Sequence, residues 1–132
     1  MTRALMEGVL FSLRDGLEIM RDLEIRPKEI RATGGGASAP LWLQLQADVY
    51  GLPVHRLRIE EGAAYGAALL AHVAAGTFAS VEEASKVVKT MPDVTEPDRS
   101  ATEAYDSLYE VYRSVYASLR EDMHRLADLS GP

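Results

Sequence analysis

Thr33-Gly34-Gly35-Gly36-Ala37-Ser38 is the stretch of this chain whose residue types and spacing could do chemistry. A short run of β character, Glu29 to Thr33, precedes it, and a helical run opens after it at Pro40. Consecutive glycines between a strand and a helix let backbone approach a ligand closely, because no Cβ stands in the way. The helix start beyond them presents free N–H groups and the positive end of a dipole, which favours phosphate. This is the layout of a nucleotide-binding turn. A tight βα connection with no ligand uses the same residues, and the stretch by itself leaves both readings open.

Other chemistry is sparse. The three histidines, His55, His72 and His124, are scattered with no metal-ligand spacing, so structural roles are expected for them. There is no cysteine, which excludes disulfides and thiolate metal sites. A net charge of −6 with no Lys/Arg cluster argues against a nucleic-acid partner. The 132 residues suffice for one domain with a core, and the 47% hydrophobic content is ordinary for a globular protein. No charged segment followed by an apolar one opens the chain, so no secretory signal is expected. The small-apolar run from Gly62 to Gly76 is too short to span a bilayer. A cytoplasmic protein is the expectation.

The elements that must position the turn follow from periodicity. Met6, Leu10, Leu13, Leu17 and Met20 form one apolar helical face, with Arg14, Asp15, Glu18, Arg21 and Asp22 on much of the rest. Pro27 is expected to end this helix. Ile30 to Thr33 reads as the first strand. Pro40 suits a first helical turn, where its missing N–H costs little. Leu41, Leu45 and Val49 continue that helix until Gly51 and Pro53. Val54 to Ile59 reads as the second strand. Ala63 to Ala75 reads as a helix of small residues that packs tightly on a sheet. Ser80 with Glu83 resembles a capping box, as does Ser100 with Glu103 at the start of the last helix. Thr90 to Asp98, with Pro92 and Pro97, reads as an irregular connection. The last helix carries Tyr105, Leu108, Tyr112, Val115, Leu119, Met123 and Leu126 on one stripe, flanked by Tyr109 and Tyr116. Core or interface packing is the expected use of that stripe.

Two strands joined by a helix imply a parallel βαβ unit with a right-handed crossover. Two strands are a small sheet for so many helices. The chain is therefore expected to be part of a larger domain, with strands lying upstream. The formal fit of Gly34-Gly35-Gly36-Ala37-Ser38-Ala39 to G-x-G-x-x-A, with Glu60 after the second strand, raises a dinucleotide-binding module. The acid comes later than that fingerprint places it, and a whole helix precedes the fingerprint strand. A non-enzymatic helical interaction module, resting on Ala101 to Leu129, is a further alternative.

A resemblance covers most of the chain. Arg3-Ala4-Leu5-Met6-Glu7-Gly8-Val9 is similar to the Arg-Ala-x-x-Glu-Gly-Val helix start of the FGGY carbohydrate kinases. Gly34-Gly35-Gly36-Ala37-Ser38, then Trp42, Gln46, Ala47 and Asp48, resembles their G-G-G-A…W…Q…A-D block. Glu61-Gly62-Ala63-Ala64-Tyr65-Gly66-Ala67-Ala68 resembles their E-G-x-A-x-G-A-A block. The order and spacing of the blocks agree as well, and the xylulose kinases are closest.

The resemblance implies an α/β fold: residues 1–132 as the C-terminal part of the second actin-like, ribonuclease-H-like domain, with a small parallel sheet and a long last helix. It implies transfer of the ATP γ-phosphoryl group to a sugar hydroxyl with Mg²⁺, on a ketopentose such as D-xylulose. Carried over, Gly34, Gly35, Gly36, Ala37 and Ser38 line the adenine and ribose pocket. Glu7 and Asp48 are expected to serve capping or packing, and Trp42 the core. Gly66, Ala67 and Ala68 are expected to pack close to the nucleotide strand. The family's Asp-x-Gly-Thr phosphate motif and its catalytic Asp have no match here. The isolated chain is therefore expected to be inactive, and its uncovered apolar faces, at Leu10, Leu13 and Leu17, to drive self-association.

Overall fold

The computed structural model describes residues 2–59 and 62–130. The elements run α1 (Thr2–Asp22), β1 (Ile30–Ala32), a 3₁₀ turn (Gly35–Ser38), α2 (Pro40–Tyr50), β2 (Val54–Leu57), α3 (Gly62–Ala74), α4 (Val81–Ser85), β3 (Thr90–Thr95) and α5 (Arg99–Ser130). β1 and β2 pair in parallel with Ile30 opposite Val54 and Ala32 opposite Arg56, as the βαβ reading expects.

The third strand is a correction. Thr90–Thr95 pairs antiparallel to β2 rather than forming an irregular connection, giving the order β1-β2-β3. Pro92 hides this strand in the sequence, because proline cannot donate to a ladder. The structure accommodates it at an irregularity. Between the pairs His55–Val94 and Leu57–Thr90, Arg56 alone stands opposite Met91, Pro92 and Asp93. The strand is also an edge strand, where a missing donor is tolerated.

The first helix ends sooner than Pro27. Glu24 takes a left-handed φ of 63°, and the Ile25 N–H reaches back to the Met20 carbonyl at 2.9 Å. This closes the last turn in the manner of a Schellman cap, with Glu where glycine is usual. Its buried face is also rotated from the expected one. Leu10, Phe11, Arg14 and Leu17 are buried, whereas Leu13 and Met20 are 56% and 46% exposed. A second apolar stripe, Leu5, Val9, Leu13 and Met20, therefore lies open.

The main core joins Leu10, Phe11 and Leu17 of α1 to Leu45, Val49 and Tyr50 of α2 and to Tyr105 and Tyr109 of α5. Phe11 stands edge-on to Tyr105 at 6.1 Å and tilted on Tyr112 at 5.4 Å. The tyrosines of the last helix are thus packing residues over its first half. Leu108, Val115, Leu119 and Met123 of the same helix are exposed. Asp98, not Ser100, caps α5: its Oδ1 accepts the Ala101 N–H at 2.9 Å. Ser80 caps α4 as read, its Oγ accepting the Glu83 N–H at 3.1 Å, but the Glu83 carboxylate accepts from the Ala79 N–H, one residue before the cap, instead of closing the box on Ser80.

Polar groups hold the three-helix junction. Arg14, read as lying off the apolar face, is buried. It donates to the Val49 carbonyl at 2.9 Å and to Asp106 at 2.5 Å, and lies 4.4 Å from the Tyr109 ring centroid. A guanidinium at the C-terminal end of α2 complements the helix dipole there. Glu7 accepts from the Tyr105 hydroxyl at 2.7 Å and from Arg3 at 2.9 Å. Burial pushes the Glu7 carboxyl up, but those two bonds outweigh it and hold it below its ordinary value.

α3 is a further correction. None of its residues is buried; it packs chiefly on α4, not on the sheet. Its Gly66 has open space around it, and Ala67 and Ala68 are exposed. The close partner that such small residues suit is absent among the described residues. Among those residues no helix is long and apolar enough to cross a membrane.

Candidate nucleotide site

The glycine turn rises from the C-terminal end of β1, because the parallel pairing with β2 leaves the connection on that side. In open α/β sheets ligands sit outside the carboxyl ends of the strands. Beneath the turn a small second core, Ala32, Ala37, Leu43, Ala47 and Val54, ties it to α2 and β2. Ala37 is thus buried, Gly34 half-buried, and Gly35, Gly36 and Ser38 exposed.

The three glycines differ in what requires them. Gly34 has φ 78° and ψ −177°, a region essentially restricted to glycine. At Gly36 a Cβ would meet the Trp42 indole Nε1 at 3.0 Å. At Gly35 φ is not positive and a Cβ would meet nothing within 4 Å. Trp42 itself leans on the main core, as expected. The strained position of the turn is Gly34, not Gly35.

Hydrogen bonds fix the rest. Ala37 N–H donates to the Gly34 carbonyl at 3.0 Å, and Ser38 Oγ to the Gly35 carbonyl at 2.7 Å. Thr33 Oγ1 donates to the Ile59 carbonyl at 3.1 Å. The start of α3 closes on the same threonine, since a Cβ on Gly62 would come within 2.6 Å of Thr33 Cγ2. Glu60 and Glu61, singled out in the sequence, lie outside the described residues.

A depression of about 40 Å³ lies beside the turn, lined by Thr33, Gly34, Ala37, Ser38, Arg56 and Leu57 among others. That is room for a water molecule, whereas small-molecule pockets run to roughly 300–1,000 Å³. The turn lines a shallow depression and encloses no pocket of that size. Among the described residues no three His, Asp or Glu side chains gather where they could hold a metal ion.

Asp48 and Glu7 have the structural roles expected of them. Asp48 is buried and its Oδ1 accepts the Asp98 N–H and a Gln44 amide N–H, both at 2.8 Å. Arg56 was not singled out as a site residue by the sequence, yet it lines the depression. The signal that could have found it is its place opposite Pro92-Asp93, which was hidden with β3.

Comparisons with known proteins agree with this geometry. The C-terminal domain of the FGGY family of carbohydrate kinases matches residues 1–75. A xylulose kinase of Staphylococcus epidermidis is 36% identical over 119 residues, covering 90% of this chain and 24% of that protein. The L-xylulose/3-keto-L-gulonate kinase of Escherichia coli is 34% identical over 118 residues, covering 89% of this chain and 24% of that protein. Among solved structures, the xylulose kinase of Rhodospirillum rubrum superposes with a TM-score of 0.74 at 31% identity, covering 92% of this chain and 25% of that one. The chain spans about a quarter of the length of these relatives. Its mixed α/β arrangement, with a small sheet and a long last helix, is that of part of an actin-like ATPase domain. This sets aside the dinucleotide-binding and helical-module readings: the chain belongs to the FGGY family of carbohydrate kinases, as a C-terminal domain.

Proposed function

We propose that this chain is the nucleotide side of an ATP-dependent sugar kinase acting on a ketopentose such as D-xylulose, and that it forms part of that enzyme's second actin-like domain. The single observation that supports this most is Gly35. Gly34 is required by its backbone conformation and Gly36 by Trp42, but nothing in the described chain requires glycine between them. Bare backbone facing open space suits the close approach of a flat base and its ribose.

ATP supplies the transferred phosphoryl group, and its adenosine part fits against Gly34, Gly35, Gly36, Ala37 and Ser38. For Mg²⁺ the described residues offer no donor set, so its binding is assigned to the rest of the enzyme. Phosphoryl transfer rests on positioning and charge neutralisation around the γ-phosphate. This chain supplies neither a catalytic Asp nor a phosphate loop of the family type, and the isolated chain is inactive under this reading. Phosphorylation of D-xylulose by the chain alone, above a mock-purified control, would contradict it.

Two features support upstream strands in the complete domain. The outer edge of β1 pairs with no strand among the described residues. Beside it, Leu13, Leu17, Met20, Pro27 and Ile30 line a groove of about 340 Å³. In the isolated chain this uncovered face drives self-association. Leu10 and Leu17 are buried within the chain, so Leu13 carries the effect among the three residues first expected to. The complete enzyme is cytoplasmic under this reading, with ATP and the sugar as its partners and no role for nucleic acid or membrane.

A further inference from the structure

Arg56 is the second residue of chemical interest beside the turn. It stands on β2 opposite Ala32 of β1, and its side chain lines the depression that Gly34, Ala37 and Ser38 also line. Its Nη2 donates to Asp93 Oδ2 at 3.2 Å. Its Nε is buried and, among the described residues, is the one buried side-chain polar atom with no hydrogen-bond partner. A buried donor left unpaired is costly, so such groups mark either an error of design or a partner yet to come.

The irregularity in β3 makes the second case. Opposite Arg56 the strand uses Met91, Pro92 and Asp93 where one residue would do. Bulges are over-represented at sheet edges and next to active sites, where they re-aim side chains. Here the extra residues bring the Asp93 carboxylate onto one end of the guanidinium. The charge is thereby compensated at Nη2, while Nε stays unpaired and the residue lines the depression beside the turn. Arginine only donates, so whatever it takes must present an acceptor.

We infer that Arg56 is a binding residue of the nucleotide site, donating a hydrogen bond to an acceptor atom on the ribose or purine of an adenosine seated on the glycine turn. This rests on the nucleotide reading of that turn. The depression, which Ser38 and Arg56 both line, is the route by which the acceptor reaches the guanidinium. The Asp93 pair then holds the arginine in place for the ligand rather than holding the fold together.

The test is a titration of the ¹⁵N-labelled chain with ADP-Mg, in wild type, Arg56→Met and Arg56→Lys, with a thermal melt of each. The wild type is expected to show shifts at Gly34–Ser38. Arg56→Met is expected to weaken ADP about tenfold, the worth of a hydrogen bond from a charged donor. It should melt no lower than the wild type, because it removes an unpaired donor. Arg56→Lys keeps the charge but not the planar fork, and should bind as weakly as Arg56→Met. Unchanged ADP affinity in Arg56→Met overturns the inference while leaving the turn reading intact. So does wild-type affinity in Arg56→Lys, or a large loss of melting temperature in Arg56→Met, which would make the residue structural. A wild-type chain indifferent to ADP overturns both the inference and the reading it rests on.

Discussion

Trp42 stands so close to Gly36 that a Cβ there would lie 3.0 Å from its indole Nε1 and 3.1 Å from Cδ1. The indole is also part of the packing around the main core, so it cannot swing away freely. Gly36→Ala is expected to destabilise the chain by about 1 kcal/mol, the low end of overpacking costs, which is a few degrees in melting temperature. Gly35→Ala, in open space, should be neutral or raise the melting point slightly through the unfolded chain. Differential scanning calorimetry of the two variants makes the comparison. Equal losses would remove the distinction between the two glycines.

Gly34→Ala tests the backbone itself. Its φ of 78° with ψ near −177° costs a side chain about 1–3 kcal/mol. A denaturant midpoint equal to that of the wild type would show that the turn adopts another conformation in solution.

Asp48 joins α2 to the segment that starts α5 through its 2.8 Å bond from the Asp98 N–H. Asp48→Ala leaves that donor without its acceptor and is expected to cost about 1–3 kcal/mol. Asp48→Asn retains an acceptor oxygen and should lose less. Urea unfolding ranks the two, and the opposite order would contradict the assigned role.

Alkaline pH should loosen the three-helix junction. Burial pushes Tyr50 up to about 12, and burial with the Asp15 hydrogen bond pushes Tyr109 up to about 12, from an ordinary value of 10.0. The folded state therefore holds these protons more tightly than the unfolded chain. Their contribution is complete below pH 10 and is lost as pH rises toward 12. Absorbance titration of the phenolates alongside thermal melts should show falling stability across that window. Tyr109→Phe should flatten the fall, and an unchanged slope would exclude Tyr109 as its source.

Leu13 is 56% exposed on the open stripe of α1. Leu13→Glu is expected to reduce self-association in light scattering without lowering the melting point. A wild-type chain that stays monomeric at high concentration would contradict the uncovered-face account.

The parts of the fold legible in the sequence were those with strong local signals. The βαβ unit followed from Pro40, Gly51 and the flanking apolar runs, and the Ser80–Glu83 cap from its own spacing. β3 was hidden because Pro92 outweighed the β character of Thr90, Val94 and Thr95. The face of α1 was misread because Arg14 is buried by long-range partners, Asp106 and the Val49 carbonyl, that no helical period reveals. α3 was misread because small residues announce a close partner without saying that it lies in the same chain. In the site, the glycine turn was legible as a turn, but which glycine carries strain and which faces open space needed coordinates. Arg56 was invisible without the pairing of β2 with β3.

The most direct test of the proposed nucleotide half-site is a ¹H–¹⁵N correlation spectrum of this chain titrated with ADP-Mg, and with NAD in parallel. The account predicts shifts confined to Gly34–Ser38 and their neighbours, with ADP sufficient and no gain from the nicotinamide half. A well-dispersed spectrum that neither ligand perturbs would contradict it and leave the glycine turn as a βα connection only.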